Sequence, residues 1–343
     1  MAAIDLLLEW SQTSERMHQV VLARLLGNTG LLSCLGILGN PTDVSIETRN
    51  RLYDFTVSFD TGQTVCAELK VNSSLTKRQI ERQIKGLEVS NNPPDILVYF
   101  LLGTSRFSWN RTKILDIATK LAPAVQPASI LLIDTAQMQR SLHLVLLELL
   151  KNDDRDLSVA YLTALQNLGQ LTKSYKTKPL LDWGRYDWFG FYDAINNEPN
   201  KTGMQFDGVM DYVPNPSGGF VGFWWHFIDI PRITDAQAYL QLEQTKLCFK
   251  GNVESAQLRT QIRDRLSEVV LEASEDLRQK GQVNLNVRRP QRFGNGYSMT
   301  VAEVTGDYRS NPNAARATVL GWNHCINVLT QTQQILDDAI QRY

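Results

Sequence analysis

The sequence feature that most constrains the fold is an uninterrupted hydrophobic run, ILVYFLL, at residues 96–102. A strand with one face in water alternates polar and apolar residues, so an unbroken run predicts a strand that is buried on both faces. Such strands lie in parallel sheets with helices on each side. A second apolar run at 130–133 and helical spacing at 111–121 and 142–150 continue the alternation of strand and helix. The first half of the chain is therefore predicted to be an α/β domain.

The other elements of this half follow from the spacing of the apolar residues. Helical spacing predicts helices between residues 4 and 38, over 75–89 and over 154–172. Spacing of period two predicts two strands, 46–59 and 63–71, around a tight turn. The order of these elements adds a β-hairpin to the α/β domain.

A domain boundary is expected at 173–179, because this segment is polar, basic and ends at Pro179. A length of 343 residues suits about two domains. We therefore divide the chain into a first domain, 1–172, and a second domain, 180–343. The second domain is predicted to be α+β, with these elements: aromatic-rich strands at 183–192, 220–230 and 239–249, a helix at 254–279, strands at 283–288 and 297–304, and a helix at 313–341.

The composition excludes several classes of protein. The chain has 35 Lys+Arg against 36 Asp+Glu, a net charge of −1, which excludes a strongly basic coat for nucleic acid. Its 43% of hydrophobic residues excludes intrinsic disorder and fibrous proteins. No apolar run approaches the roughly 18 residues of a membrane span, and the N-terminus lacks the basic region of a signal peptide. Because the four cysteines are also scattered, we expect a soluble cytoplasmic protein with no membrane contact.

The hairpin has one apolar face, which fixes its register. Odd positions in 53–59 and 65–71 are apolar, while the even positions are mainly polar. Opposed residues of a hairpin share a face, so odd residues must pair with odd residues, and the loop must have an odd length. A three-residue loop, 60–62, with Gly62 in the left-handed conformation, meets this requirement.

The predicted register brings two carboxylates together. It pairs residue 59 with residue 63 and so places Asp54 opposite Glu68, with Lys70 on the same face. The Cβ atoms of the two acids would be about 5 Å apart. Two carboxylates at this separation repel unless a proton or a cation lies between them, and Mg²⁺ prefers oxygen ligands of this kind. With Lys70 beside them to position a water, the predicted chemistry is metal-dependent phosphodiester hydrolysis.

The helix that follows the hairpin is predicted to bind a phosphate backbone. It carries Gln79 and Gln83, one turn apart, and their amides could donate to phosphate oxygens. Four basic residues surround them in the sequence: Lys77, Arg78, Arg82 and Lys85. A local concentration of positive charge can attract nucleic acid even when the net charge of the chain is near zero.

The arrangement of Asp54, Glu68-Leu69-Lys70 and Gln79 resembles the PD-(D/E)XK nuclease superfamily, in a bacterial branch of uncharacterised proteins. The resemblance is most specific over residues 47–100 and extends more weakly to the opening helix around Glu15. It implies a restriction-endonuclease-like core with a catalytic hairpin, Asp54 and Glu68 as Mg²⁺ ligands for which Mn²⁺ could substitute, and Lys70 as the catalytic lysine. It also implies a supporting role for Gln79 and a further carboxylate from Glu15. Tyr53 stands where the proline of the family's name would be.

Each candidate site residue also has a simpler, non-catalytic interpretation. A Glu-x-Lys triplet arises often by chance, and an amphipathic hairpin always has a polar face. Glu47 reaches the site only if the strand bends near residues 49–50, and Glu15 is otherwise a surface charge of a helix. The basic cluster 288–292 and the tryptophans could grip DNA, although we favour the tryptophans as core residues. The four histidines have no metal-ligand spacing.

The sequence therefore predicts a Mg²⁺-dependent nuclease that cleaves nucleic acid, DNA in preference to RNA. The resemblance suggests a role in bacterial defence against phage or foreign DNA. The second domain would serve recognition, a partner protein or homo-oligomer formation. The alternative is a catalytically silent protein that keeps the nuclease scaffold for binding or sensing.

Overall fold

The computed structural model describes residues 15–46, 52–73, 75–89, 94–107, 109, 111–149, 155–197, 206–214, 219–314 and 318–343. The chain divides into two compact units, 1–172 and 173–343. The division falls directly after the end of the first predicted domain. Each unit has its own sheet, and together they give an α/β protein with one mixed and one antiparallel sheet.

Unit 1 is built on a mixed five-stranded sheet with the strand order β1-β2-β3-β4-β5. The strands are β1 Pro41–Ile46, β2 Phe55–Phe59, β3 Thr64–Val71, β4 Ile96–Leu102 and β5 Ile130–Asp134. The first three strands are antiparallel, whereas β3, β4 and β5 are parallel. The helices are α1 Glu15–Leu25, α2 Thr29–Cys34, α3 Lys77–Val89, α4 Arg111–Leu121, α5 Thr135–Leu149 and α6 Arg155–Leu171.

Strand β4 is buried on both faces, as its sequence predicts. Val98, Phe100 and Leu102 belong to one hydrophobic core, which includes residues of α1, α2, α5 and α6. Leu97, Tyr99 and Leu101 belong to a second core on the opposite face, with residues of α3 and α4. Helices on both sides thus explain why no polar residue interrupts the run.

Unit 2 contains an antiparallel six-stranded sheet with the order β10-β11-β9-β8-β7-β6. Its strands are β6 Val209–Val213, β7 Phe220–Asp229, β8 Ala236–Glu243, β9 Lys246–Val253, β10 Val287–Arg288 and β11 Ser298–Val304. Its helices are α7 Arg185–Asn197, α8 Arg259–Gln279 and α9 Trp322–Arg342. Trp183, Trp188 and Trp225 are buried, which confirms the core interpretation for these three tryptophans.

Several predictions for unit 2 were wrong. The predicted strand 283–288 is reduced to β10, Val287–Arg288, and the last helix begins at Trp322 rather than at 313. Most of the segment 183–192 is not a strand but the start of α7, because Trp188, Phe191, Tyr192 and Ile195 recur at helical spacing and are all buried. The segment 239–249 is not one strand but parts of β8 and β9. The turn between them contains Gln244 at a φ of 52°, and glutamine is not a usual turn residue.

The predicted bounds in unit 1 also needed correction. Strand β1 was not predicted, and β2 is shorter than the expected strand 46–59. Helix α5 begins at Thr135 rather than near residue 142. Among the described residues no helix combines the length and the apolar character needed to cross a membrane.

Candidate metal centre at the β2–β3 hairpin

The hairpin has the register that the sequence predicts. Phe55 pairs with Ala67 and Val57 with Val65, and the Phe59 amide donates to the Gln63 carbonyl at 3.0 Å. Gly62 has a φ of 82°, in the left-handed region that the three-residue loop requires. The odd-numbered apolar residues of both strands lie in one core.

Asp54 and Glu68 lie close together just before the start of β2. The regular pairing ends at Phe55 and Ala67, and the Asp54 amide donates to the same Ala67 carbonyl at 2.9 Å, so Asp54 and Phe55 both lie against Ala67. The two carboxylates are close enough that the charge of Asp54 raises the pKa of Glu68. Two carboxylates this close favour a proton or a cation beside them, and Lys70 supplies one positive charge.

Glu68 is buried, with 3% of its surface exposed. Its Oε1 accepts hydrogen bonds from the Gln79 amide and lies 2.6 Å from Lys70 Nζ. Its Oε2 accepts from Gln83 Nε2 at 2.8 Å. The burial arises because α3 covers this face of the hairpin, held there by Ile80 and Ile84 in the second core.

Asp54 is held by the first helix and by the backbone of β3. Its Oδ1 accepts from Gln19 Nε2 at 2.9 Å, and its Oδ2 accepts from the Leu69 amide at 2.8 Å. Helix α1 packs its apolar residues into the first core, which presents Gln19 to the hairpin. Each Asp54 oxygen thus has one donor and a remaining lone pair.

Glu15 lies beside Lys70, as the resemblance implied for a residue of the opening helix. Its Oε1 is 3.3 Å from Lys70 Nζ. Its Oε2 accepts from the Ser73 hydroxyl at 2.9 Å and from the Val71 amide at 3.3 Å. The side chain of Glu15 thus extends the acidic site by bridging Lys70 and the end of β3.

The titration behaviour follows from burial and from this crowding of charges. Burial raises the pKa of Asp54 above its usual value, and the Glu15 carboxylate raises it further, against the opposing effects of the Leu69 amide and Lys70. Burial and the Asp54 charge raise the pKa of Glu68 as well. Burial by itself would lower the pKa of Lys70, but the carboxylates of Glu68, Glu15 and Asp54 raise it above its ordinary value.

The donor set fits a hard divalent cation. Asp54 and Glu68 offer carboxylate oxygens, and because burial raises the pKa of both, a further cation would favour their ionised forms. Among the described residues, no group of three or more His, Cys, Asp or Glu side chains is arranged to hold a metal ion. A cation here would therefore take two protein carboxylates and complete its shell with other oxygens, as Mg²⁺ commonly does with water.

The basic residues of α3 line an open cleft of about 830 Å³ beside the carboxylates. Its lining consists of Thr76, Arg78, Gln79, Glu81, Arg82 and Lys85. Lys77 is exposed next to it and lies 3.7 Å from Glu81. Gln79 therefore contacts both the cleft and Glu68.

The expectation that Gln83 follows a phosphate backbone was wrong. Gln83 is fully buried, and its amide donates to Glu68 and to the Leu52 carbonyl. Glu47 lies outside the described residues. Gln19 was not predicted as a site residue, although its position one helical turn after Glu15 places both on the same face of α1.

Comparison of the chain with protein-family models, with curated proteins and with solved structures found no match. Conclusions about function therefore depend on the geometry of the hairpin site and on the resemblance in its sequence.

Proposed function

We propose that the chain is a metal-dependent nuclease that hydrolyses phosphodiester bonds of DNA, and that unit 1 has a restriction-endonuclease-like core. The observation that carries the proposal is the crowding of acids around one lysine: Lys70 Nζ lies 2.6 Å from Glu68 and 3.3 Å from Glu15, with the Asp54 charge nearby. A structural ion pair needs one acid, whereas this site gathers three around a single lysine. Crowded, perturbed carboxylates beside a cleft are typical of catalytic sites.

Asp54 and Glu68 would hold Mg²⁺, or Mn²⁺ in its place. When bound, the ion supplies Lewis acidity to a phosphate oxygen and lowers the pKa of a water. Lys70 lies between Glu68 and Glu15, where its ammonium can orient the attacking water and balance developing charge. Gln79, at the cleft wall, fixes Glu68 Oε1.

The basic face of α3 would bind the sugar-phosphate backbone. Arg78, Arg82 and Lys85 are exposed and line the cleft next to Gln79. Contacts of this kind position a strand without reading its sequence. They supply the local positive charge that the nearly neutral chain lacks overall.

The test is cleavage of supercoiled plasmid with Mg²⁺, with Mn²⁺ and with a chelator. We expect metal-dependent nicking by the wild type and its loss in Asp54→Asn and Lys70→Ala. Lys120→Ala is the matched control, because Lys120 is an exposed lysine of the same unit that pairs with Asp116. Equal cutting by all four proteins would show a contaminating nuclease and contradict the proposal.

A binding protein without catalysis is the second candidate. It is favoured by one observation: all four oxygens of Asp54 and Glu68 already have a hydrogen-bond or ion-pair partner within the described residues. The two candidates differ in the same assay. Binding of DNA without cleavage of plasmid, single-stranded DNA or RNA, in either metal, would favour the second.

A further inference from the structure

Both acids of the hairpin are held by a glutamine amide whose own orientation is fixed by a second partner. For Glu68 this amide belongs to Gln83, which is fully buried. Gln83 Nε2 donates to Glu68 Oε2 at 2.8 Å and to the Leu52 carbonyl at 2.9 Å. Both hydrogens of the amide are therefore committed, and the amide cannot rotate without losing one bond.

For Asp54 the amide belongs to Gln19 on α1. Gln19 Nε2 donates to Asp54 Oδ1 at 2.9 Å, and Gln19 Oε1 accepts from Arg16 at 3.0 Å. A reversed amide would point its NH₂ group at the guanidinium, so Arg16 keeps the donor directed at Asp54. The two glutamines lie on different helices, yet each holds one member of the same carboxylate pair.

Neutral donors suit a pair of acids that must later bind a cation. Ionised carboxylates that lie close together repel, and a hydrogen bond from a fixed amide opposes their rotation apart. An Arg or Lys at either position would do the same but would add a second positive charge beside Lys70, which would repel the incoming ion. An amide holds the carboxylate and adds no positive charge.

We propose that Gln83 and Gln19 are positioning residues of the metal centre, which hold Glu68 and Asp54 in the orientation that binds the cation. This inference rests on the proposed function. Neither amide reaches the reacting atoms in this arrangement: Gln83 is buried, and Gln19 acts through Asp54. Outer partners of metal ligands commonly change metal affinity by about 10–100-fold.

The test measures binding of Mn²⁺ alone to the full chain, by electron paramagnetic resonance and by calorimetry, together with thermal unfolding. The variants are Gln83→Met and Gln19→Met, which keep the side-chain length and remove the donor. We expect each to weaken Mn²⁺ binding by about tenfold or more, and Gln83→Met more than Gln19→Met, because Gln83 is buried and anchored to the backbone.

Two controls separate positioning from general damage. Ile114→Ala truncates a buried core residue of α4 and leaves both amides in place, so it lowers the unfolding temperature and should keep wild-type Mn²⁺ affinity. Asp54→Asn should abolish binding. If Ile114→Ala weakens Mn²⁺ binding as much as the glutamine variants do, the positioning role is overturned.

The outcomes also separate this inference from the proposed function. If both glutamine variants bind Mn²⁺ with wild-type affinity while Asp54→Asn does not bind it, the positioning role is overturned and the metal centre is supported. If Asp54→Asn binds Mn²⁺ as tightly as the wild type, the metal centre is overturned, and so is the positioning role.

Discussion

The two units bury charge in opposite ways. In unit 2, Arg309 is 1% exposed, and its guanidinium pairs with Asp307 at 2.7 Å and lies over the rings of Trp183 and Trp188. In unit 1, the buried Glu68 shares Lys70 with Glu15, and the half-buried Asp54 adds a third negative charge nearby. The first arrangement satisfies its charges and needs no ligand. The second gathers more acids than bases in one place, as proteins do mainly at functional sites.

The buried arginine offers the largest effect with which to test this comparison. Arg309→Met should destabilise unit 2 by about 3 kcal/mol, because the Leu180 carbonyl loses its donor in a buried place and the partly exposed Asp307 loses its partner. Urea unfolding followed by tryptophan fluorescence measures the loss, since Trp183 and Trp188 contact the guanidinium. Arg288→Met, at an exposed pair with Glu303, is the control and should cost under about 1 kcal/mol. Similar losses in both variants would contradict a structural role for Arg309.

The lysine of unit 1 should behave differently from the arginine of unit 2. Under the proposed function, Lys70→Met should lower kcat for an oligonucleotide by about 10²–10³-fold with a small change in KM, because the ammonium would act on the reacting atoms. Steady-state kinetics in Mg²⁺ measures both constants. If Lys70→Met is less stable but keeps the wild-type kcat per folded molecule, Lys70 is a structural residue like Arg309.

The like-charge pair predicts that a loss of function increases stability. Asp54→Asn should raise the free energy of unfolding of the metal-free protein at pH 8 by on the order of 1 kcal/mol, because it removes a half-buried negative charge that lies near Glu68 and Glu15. The pKa values of Asp54 and Glu68 are higher in the folded than in the unfolded protein. The stability that these two acids contribute is therefore present at low pH and is lost as the pH rises above their unfolded pKa of about 4. The gain from Asp54→Asn should therefore grow from pH 4 to pH 8 in chemical denaturation with chelator. A gain that shrinks with pH would contradict the assignment.

The smallest expected effects belong to the exposed cations of α3. Arg82→Ala and Lys85→Ala should each weaken DNA binding several-fold and reduce the salt dependence of log Kd by about one unit per phosphate contact. Fluorescence anisotropy over a salt series, with Ca²⁺ in place of Mg²⁺, measures both quantities. Lys120→Ala should leave the salt dependence of log Kd unchanged. If it reduces that dependence as much as Arg82→Ala and Lys85→Ala do, the cleft is not the DNA-binding surface.

Local sequence patterns predicted the secondary structure correctly where a single physical rule determined the spacing of apolar residues. The alternation around Gly62 gave the register of the hairpin, and the hydrophobic run gave β4 with both of its bounds. The same reasoning missed β1, because this short edge strand has no clear alternation and is stabilised by pairing with β2. It misread α7, because aromatic residues favour strands in general while their spacing here is helical.

The sequence by itself determined that Asp54, Glu68 and Lys70 share one face of a hairpin, because side-chain alternation and loop parity leave no other register. Only the tertiary structure decided how the acids are held. Gln19 comes from α1 and Gln83 from α3, and no short-range pattern links either residue to its carboxylate across 35 and 15 positions of sequence. The packing of both helices onto the sheet brings these amides to the acids, and burial under α3 raises the pKa of Glu68 because a charge is less favourable away from water.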